Sequence, residues 1–158
     1  SEGAILVTPM INFLDQRIVG ITPPAAIVNN ASFTTAEVDS VQNGIKYDWA
    51  SVYVYLGATD VAITSCKIQE SNTSGSGFVD VVGKRGVASL SPTATDDNRF
   101  FVFHIDMRRR QCYLDLVLTV GNGATGGFVT AFAILSRSKE VPSTALLRGA
   151  NGGEMLVT

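Results

Sequence analysis

Apolar and polar residues alternate along most of this chain with a period of two, the pattern of strands that bury one face. From Gln111 to Val120, Cys112, Leu114, Leu116, Leu118 and Val120 fall on one side; Tyr113, Asp115, Val117 and Thr119 take the other. Arg99 to Asp106 sets Phe101, Phe103 and Ile105 against Phe100, Val102, His104 and Asp106, and its aromatic and β-branched residues suit a pleated, packed surface. Met107-Arg108-Arg109-Arg110 between these two runs predicts a hairpin connection. Ser51 to Gly57 alternates Val52, Val54 and Leu56 with Tyr53 and Tyr55, and Asp60 to Ile68 follows at once, so the Gly57-Ala58-Thr59 joint predicts another hairpin. Phe128 to Ser136 reads as a last long strand. Shorter strands are expected at Arg17 to Thr22, stopped by Pro23-Pro24, at Phe78 to Val82 after the polar loop Ser71 to Gly77, and at Gly86 to Leu90. Asn43-Gly44 is a turn dipeptide ahead of Ile45, and Thr34 to Gln42 has room for a short helical turn.

About eight strands at short, even spacing, with no amphipathic helix of normal length, predict an all-β fold. The expected architecture is an antiparallel β-sandwich, an eight-stranded jelly roll being the best match. At 158 residues the chain is long enough for one domain with a real core. Residues 17–137 are assigned to the sandwich, 1–16 to an N-terminal arm broken by Pro9, and 138–158 to a C-terminal arm containing Pro142 and a Gly-rich stretch. The apolar residues of these arms, Ile5, Leu6, Val7, Ile11, Phe13 and Leu14 in front and Leu146, Leu147, Met155 and Leu156 behind, are the candidate partner-binding set. Such arms either lie on a neighbouring subunit or are disordered tails.

Composition sharpens the picture. Charged residues make up only 16% of the chain, against roughly 25% in an average soluble domain. A sandwich with a Ser/Thr-rich solvent face fits this, and so does a surface largely covered by partners. The net charge of -2 and pI near 5.3 argue against a nucleic-acid binder, which needs a dense basic face. No stretch approaches the ~18 consecutive apolar residues of a membrane helix. The opening residues lack a basic segment followed by a long apolar run, so no intact signal peptide is expected; a processed chain would look the same. Cys66 and Cys112 are too few for a disulfide framework and are read first as buried free thiols.

The candidate chemistry is sparse. Gly121 to Gly126 matches G-x-G-x-x-G after a strand, but the following Phe128 to Ile134 is β-rich, whereas a dinucleotide site needs a helix there to hold the pyrophosphate. A flexible hairpin loop is the better reading, and no cofactor is expected. His104 and Asp106 share a strand face and form the nearest thing to an acid–base pair; a structural hydrogen-bonded pair is the better reading, and a nucleophile such as Tyr113 or Ser65 is named only by assumption. Cys112 alternates with leucines, which places it in apolar surroundings unsuited to a thiolate. One histidine, two distant cysteines and scattered carboxylates form no zinc pattern; Asp96-Asp97-Asn98 offers oxygens to calcium no better than any exposed turn. Arg108 to Arg110 reads as a solvated hairpin tip. No metal site and no enzymatic activity are expected. Trp49, Tyr53 and Tyr55, in register on one strand face, are the best candidate ligand platform, and packing between sheets or subunits is the competing role for such rings.

The run Thr119-Val120-Gly121-Asn122-Gly123-Ala124-Thr125-Gly126-Gly127-Phe128-Val129-Thr130-Ala131-Phe132-Ala133-Ile134-Leu135-Ser136-Arg137-Ser138-Lys139-Glu140-Val141-Pro142 resembles the C-terminal part of the cement (decoration) proteins of tailed bacteriophage heads. The likeness extends over roughly residues 110–145. It implies a jelly-roll sandwich on the virion head exterior, made in the host cytoplasm and clustered as a homotrimer at local threefold positions. Its partner would be the major capsid protein, with terminal arms reaching neighbouring subunits and no catalytic residues. The expected function is therefore to stabilise the shell by cementing neighbouring capsid subunits, without nucleic acid or membrane. The alternative is a carbohydrate-binding sandwich module of a virion or secreted protein, using Trp49, Tyr53 and Tyr55.

Overall fold

The computed structural model describes residues 12–157. After a 3-10 turn, Asn12–Asp15, it contains eleven strands: β1 (Arg17–Thr22), β2 (Val38–Asp39), β3 (Val41–Gln42), β4 (Ile45–Thr59), β5 (Ile63–Ser71), β6 (Val79–Asp80), β7 (Val82–Gly83), β8 (Gly86–Val87), β9 (Arg99–Asp106), β10 (Tyr113–Val120) and β11 (Gly127–Ser138). The larger sheet runs β1-β11-β4-β9, with β3 beside the start of β4; the smaller runs β2-β10-β5-β6, and β7 and β8 pair with each other. Every pairing is antiparallel. No described helix is long and apolar enough to cross a membrane.

The two sheets face each other across one core, as an antiparallel β-sandwich. The larger sheet contributes Val52, Val54, Leu56, Phe103, Ile105, Ala131, Ala133 and Leu135; the smaller contributes Cys66, Ile68, Leu114, Leu116, Leu118 and Val120. The larger sheet buries small and large side chains together, Ala50, Ala131 and Ala133 among Leu56, Phe103 and Leu135, and both sheets fill one core at interior packing density. Each buried leucine contributes about 1.5–3 kcal/mol of transfer free energy.

The period-two reading located the long strands but mistook their joints. β4 and β5 do not form a hairpin, and neither do β9 and β10: in each case the first strand lies in the larger sheet and the second in the smaller. The Gly121–Gly126 loop is likewise no hairpin: it carries the chain from β10 in the smaller sheet to β11 in the larger. Two antiparallel sheets share one alternation pattern, so the period reveals which face is buried and not which sheet a strand joins. Asn43-Gly44 does close a two-residue hairpin between β3 and β4; both residues have positive φ (52° and 77°), as a primed turn requires.

Two further segments differ from expectation. The helical turn anticipated within Thr34–Gln42 is absent, and strands β2 and β3 occupy its second half. β4 begins at Ile45, not Ser51, because its alternation slips: Ile45 and Tyr47 point inward, then Ala50, Val52, Val54 and Leu56 do. A one-residue slip exchanges the faces of a strand, so strict alternation is visible only downstream of it.

The assigned arms are placed in part. Residues 1–11, with Ile5, Leu6, Val7 and Ile11, lie outside the described residues. The backbone of Phe13 lies in the 3-10 turn, and Leu14 is exposed. Beyond β11, Pro142 is fully buried, and the following segment lies along the outer edge of β1: Ile18 N–H donates to Arg148 C=O at 2.9 Å, and Arg17 Nη1 donates to Leu147 C=O at 2.7 Å.

Candidate docking surface

The outer face of the larger sheet is paved with aromatic and aliphatic side chains. On β4 the residues that alternate with the core positions are Trp49, Ser51, Tyr53 and Tyr55. Strand register sets their neighbours: Tyr55 lies opposite Phe100 on β9, Tyr53 opposite Phe132 on β11, and Ser51 between His104 on β9 and Ile134 on β11. Trp49, Tyr53 and Tyr55 therefore share one face, as their spacing indicates. Sequence reading missed that Phe100 and Phe132 complete the same surface. The signal was present, since Phe128, Thr130, Phe132 and Ile134 alternate with core residues of β11, but only the register joins the strands.

The rings stand side by side. Tyr55 and Phe100 stack with centroids 4.3 Å apart, and Tyr53 and Phe132 with centroids 5.2 Å apart. The Arg137 guanidinium carbon sits 5.3 Å from the centroid of Trp49, a cation–π contact. Each ring of the candidate platform thus has one face covered by a side chain of its own sheet. A sugar platform needs open ring faces; rings stacked on edge present a ridged apolar surface instead, which suits protein packing. Phe100 remains 57% exposed and Phe128 40%, well beyond what a strand's solvent face requires.

The polar groups on this face are tied to one another. Trp49 Nε1–H donates to Ser51 Oγ at 3.3 Å, and Ser51 Oγ lies 2.8 Å from His104 Nδ1. The nearest partner of His104 is thus a buried serine and not Asp106. The Asp106 carboxylate is gripped by Arg108, whose Nε lies 2.9 Å from Oδ1, and this holds it well below the usual carboxylate range. The serine and histidine lack the carboxylate that would orient the imidazole, because Arg108 occupies it.

The remaining sequence candidates fall elsewhere. Cys66 is buried and free, its thiol pushed up to about 12 by burial; Cys112 is free but only half-buried, 3.3 Å from Asp39 Oδ1, and is not sunk in the core as its alternation suggested. In Gly121–Gly126, the N–H groups of Thr125 and Gly126 are taken by the Asp60 carboxylate and that of Gly123 by Asn29, so the loop is held by its own protein. Met107–Arg109 forms a 3-10 turn capped by Asp106, with Arg110 reaching Glu70 at 3.2 Å; two of the three arginines are engaged, not merely solvated. Asp96 accepts from Thr93 N–H and Asp97 from Thr59 N–H, and no metal-ligand cluster is found among the described residues. Of the arm residues, Leu146, Met155 and Leu156 are exposed, whereas Leu147 is half-buried against the sandwich.

No protein-family model and no curated protein matches this chain.

Proposed function

We propose that this chain is a structural protein of a bacteriophage particle that docks on the outside of the head and cements neighbouring capsid subunits. The observation that carries this reading is the aromatic outer face of the larger sheet. A chain so poor in charge has little reason to expose Phe100, Phe128 and Ile18 on one face unless that face is covered in use. The pairing order supports a jelly roll, with β1-β11-β4-β9 facing β2-β10-β5-β6. The likeness of residues 110–145 to decoration proteins points the same way.

The mechanism is additive. Each copy buries apolar area across a joint between capsid subunits, so subunit separation must also break that contact. Many copies act on one shell, and modest individual contacts sum to a large resistance. Nothing in such a role requires a nucleophile or a cofactor.

The test is co-sedimentation of the purified chain with undecorated shells of its source virus, followed by heating of bare and decorated shells. Saturable binding with a raised shell-disruption temperature supports the reading. Absence of binding to any such shell removes it, and hits on a glycan array would transfer the aromatic face to the carbohydrate-binding alternative.

A further inference from the structure

Among the described residues, the sheet edges are covered with one exception. The outer edge of β1 is capped through Ile18 N–H to Arg148 C=O. The β5 edge of the smaller sheet is continued beyond β6 by residues 88–90, through Ile68 N–H to Ala88 C=O and Leu90 N–H to Cys66 C=O. β2 and β3 are two residues each, too short to recruit a strand. β9 pairs only with β4, over eight residues and without a bulge. Among the described residues, nothing hydrogen-bonds to its other edge. It carries no proline, lysine or bulge, and its charged residues, Arg99 and Asp106, stand only at its two ends. Beside this edge lies a cleft of about 350 Å³, between Phe103–Asp106 of β9 and the β7–β8 hairpin, with Val81, Val87 and Leu90 in its wall.

A second unsatisfied feature matches it. After Glu154, whose carboxylate lies 3.0 Å from Arg148 Nε, Met155, Leu156 and Val157 project at 85%, 62% and 81% exposure. Three successive apolar residues with no cover are a strand without a sheet. With Glu154 held in its ion pair to Arg148, they do not reach the open edge of their own copy. Arg148 is fastened to the β1 edge, and β9 lies three strand spacings away, about 14 Å. Three extended residues span only about 10 Å.

We propose that Met155–Val157 of one copy adds as a strand to the open edge of β9 in a second copy, the apolar side chains on one face of that strand entering the cleft beside the β7–β8 hairpin. Backbone hydrogen bonds supply the affinity, and the cleft wall selects apolar residues. Donor and acceptor sit on opposite edges of one sheet, so the joint is head-to-tail; copies assemble in a ring where the rotation closes, and not as a twofold dimer. This does not rest on the capsid reading, since self-association is measured without a shell.

The experiment uses the full chain and light scattering. Wild type is expected at a multiple of 16.8 kDa. Leu156→Asp/Val157→Asp spoils the donor and Val87→Trp fills the acceptor cleft, and each is expected as a monomer. Mixing the two variants restores one intact joint and yields a one-to-one pair, whereas neither variant alone can form one. Hydrogen exchange of the 99–106 peptide should quicken at least about tenfold in the donor variant. If Val87→Trp fails to fold, the exposed donor variant and the exchange measurement decide alone. A wild-type monomer at millimolar concentration, or a donor variant that keeps the wild-type mass, overturns the proposal.

Discussion

The Asp60 carboxylate, at the crossing from β4 to β5, accepts the N–H of Gly126 at 2.7 Å in the crossing from β10 to β11. A second bond from Thr125 N–H, at 2.6 Å, completes the clasp. One side chain thus fastens two places where the chain changes sheets, and so helps set the spacing between the layers. The N–H of Gly126, then that of Thr125, holds Asp60 below the ordinary aspartate value.

The pH dependence of that clasp follows from the depressed folded value. Its stabilisation is fully present above the unfolded aspartate value, about 3.9, and is lost as pH falls through the lower folded value. Asp60→Asn should therefore melt a few degrees below wild type at neutral pH, and the gap should shrink on acidification below about pH 4. Paired thermal melts at pH 7 and pH 2.5 check this; a gap that stays constant would show that charge has no part in the clasp.

Gly126 has a more rigid requirement. Its φ is 106°, and an added Cβ would lie 2.2 Å from the Val28 carbonyl oxygen. Gly126→Ala must shift backbone, so it should cost about 2 kcal/mol or more in guanidinium denaturation. Gly44→Ala, where the added Cβ meets nothing within 4 Å, should cost less.

The two thiols should separate by reactivity. Burial holds the Cys66 proton to about 12, whereas Cys112 is only partly covered. Iodoacetamide at mild alkaline pH should add one adduct to native protein, at Cys112, and two after unfolding. Mass spectrometry of the intact chain and its peptides reads both numbers.

Phe100 tests the docking face. Because it is 57% exposed, Phe100→Asp should keep the fold, losing no more than about 1.5 kcal/mol with its Tyr55 stack. Binding to capsid shells should fall at least tenfold, as expected when a charge enters an apolar contact. Circular dichroism beside co-sedimentation separates the two effects. Unchanged shell binding would move the docking site off this face.

Much of the candidate site was legible one strand at a time. Trp49, Tyr53 and Tyr55 alternate with Val52, Val54 and Leu56, so their common face followed from the pleat alone. Phe100 and Phe132 were not assignable to the same surface. They lie 45 and 79 positions from Tyr55 and Tyr53, and only the β4 registers with β9 and β11 bring the rings together. The arginine run was opaque for a similar reason, because Glu70, which holds Arg110, arrives from the other sheet.

The sequence by itself determined that this chain is all-β, where its long strands lie and which face of each is buried. Those properties are local: side chains alternate across a strand whatever the strand pairs with, and burial selects the apolar set. Tertiary structure decided which strands pair, that the joints after β4, β9 and β10 cross between sheets, and that no described residue pairs with the outer edge of β9. Each of these depends on contacts between residues far apart in the chain, where two sheets of the same periodicity offer equivalent local patterns. Packing across the one core that both sheets share makes the choice.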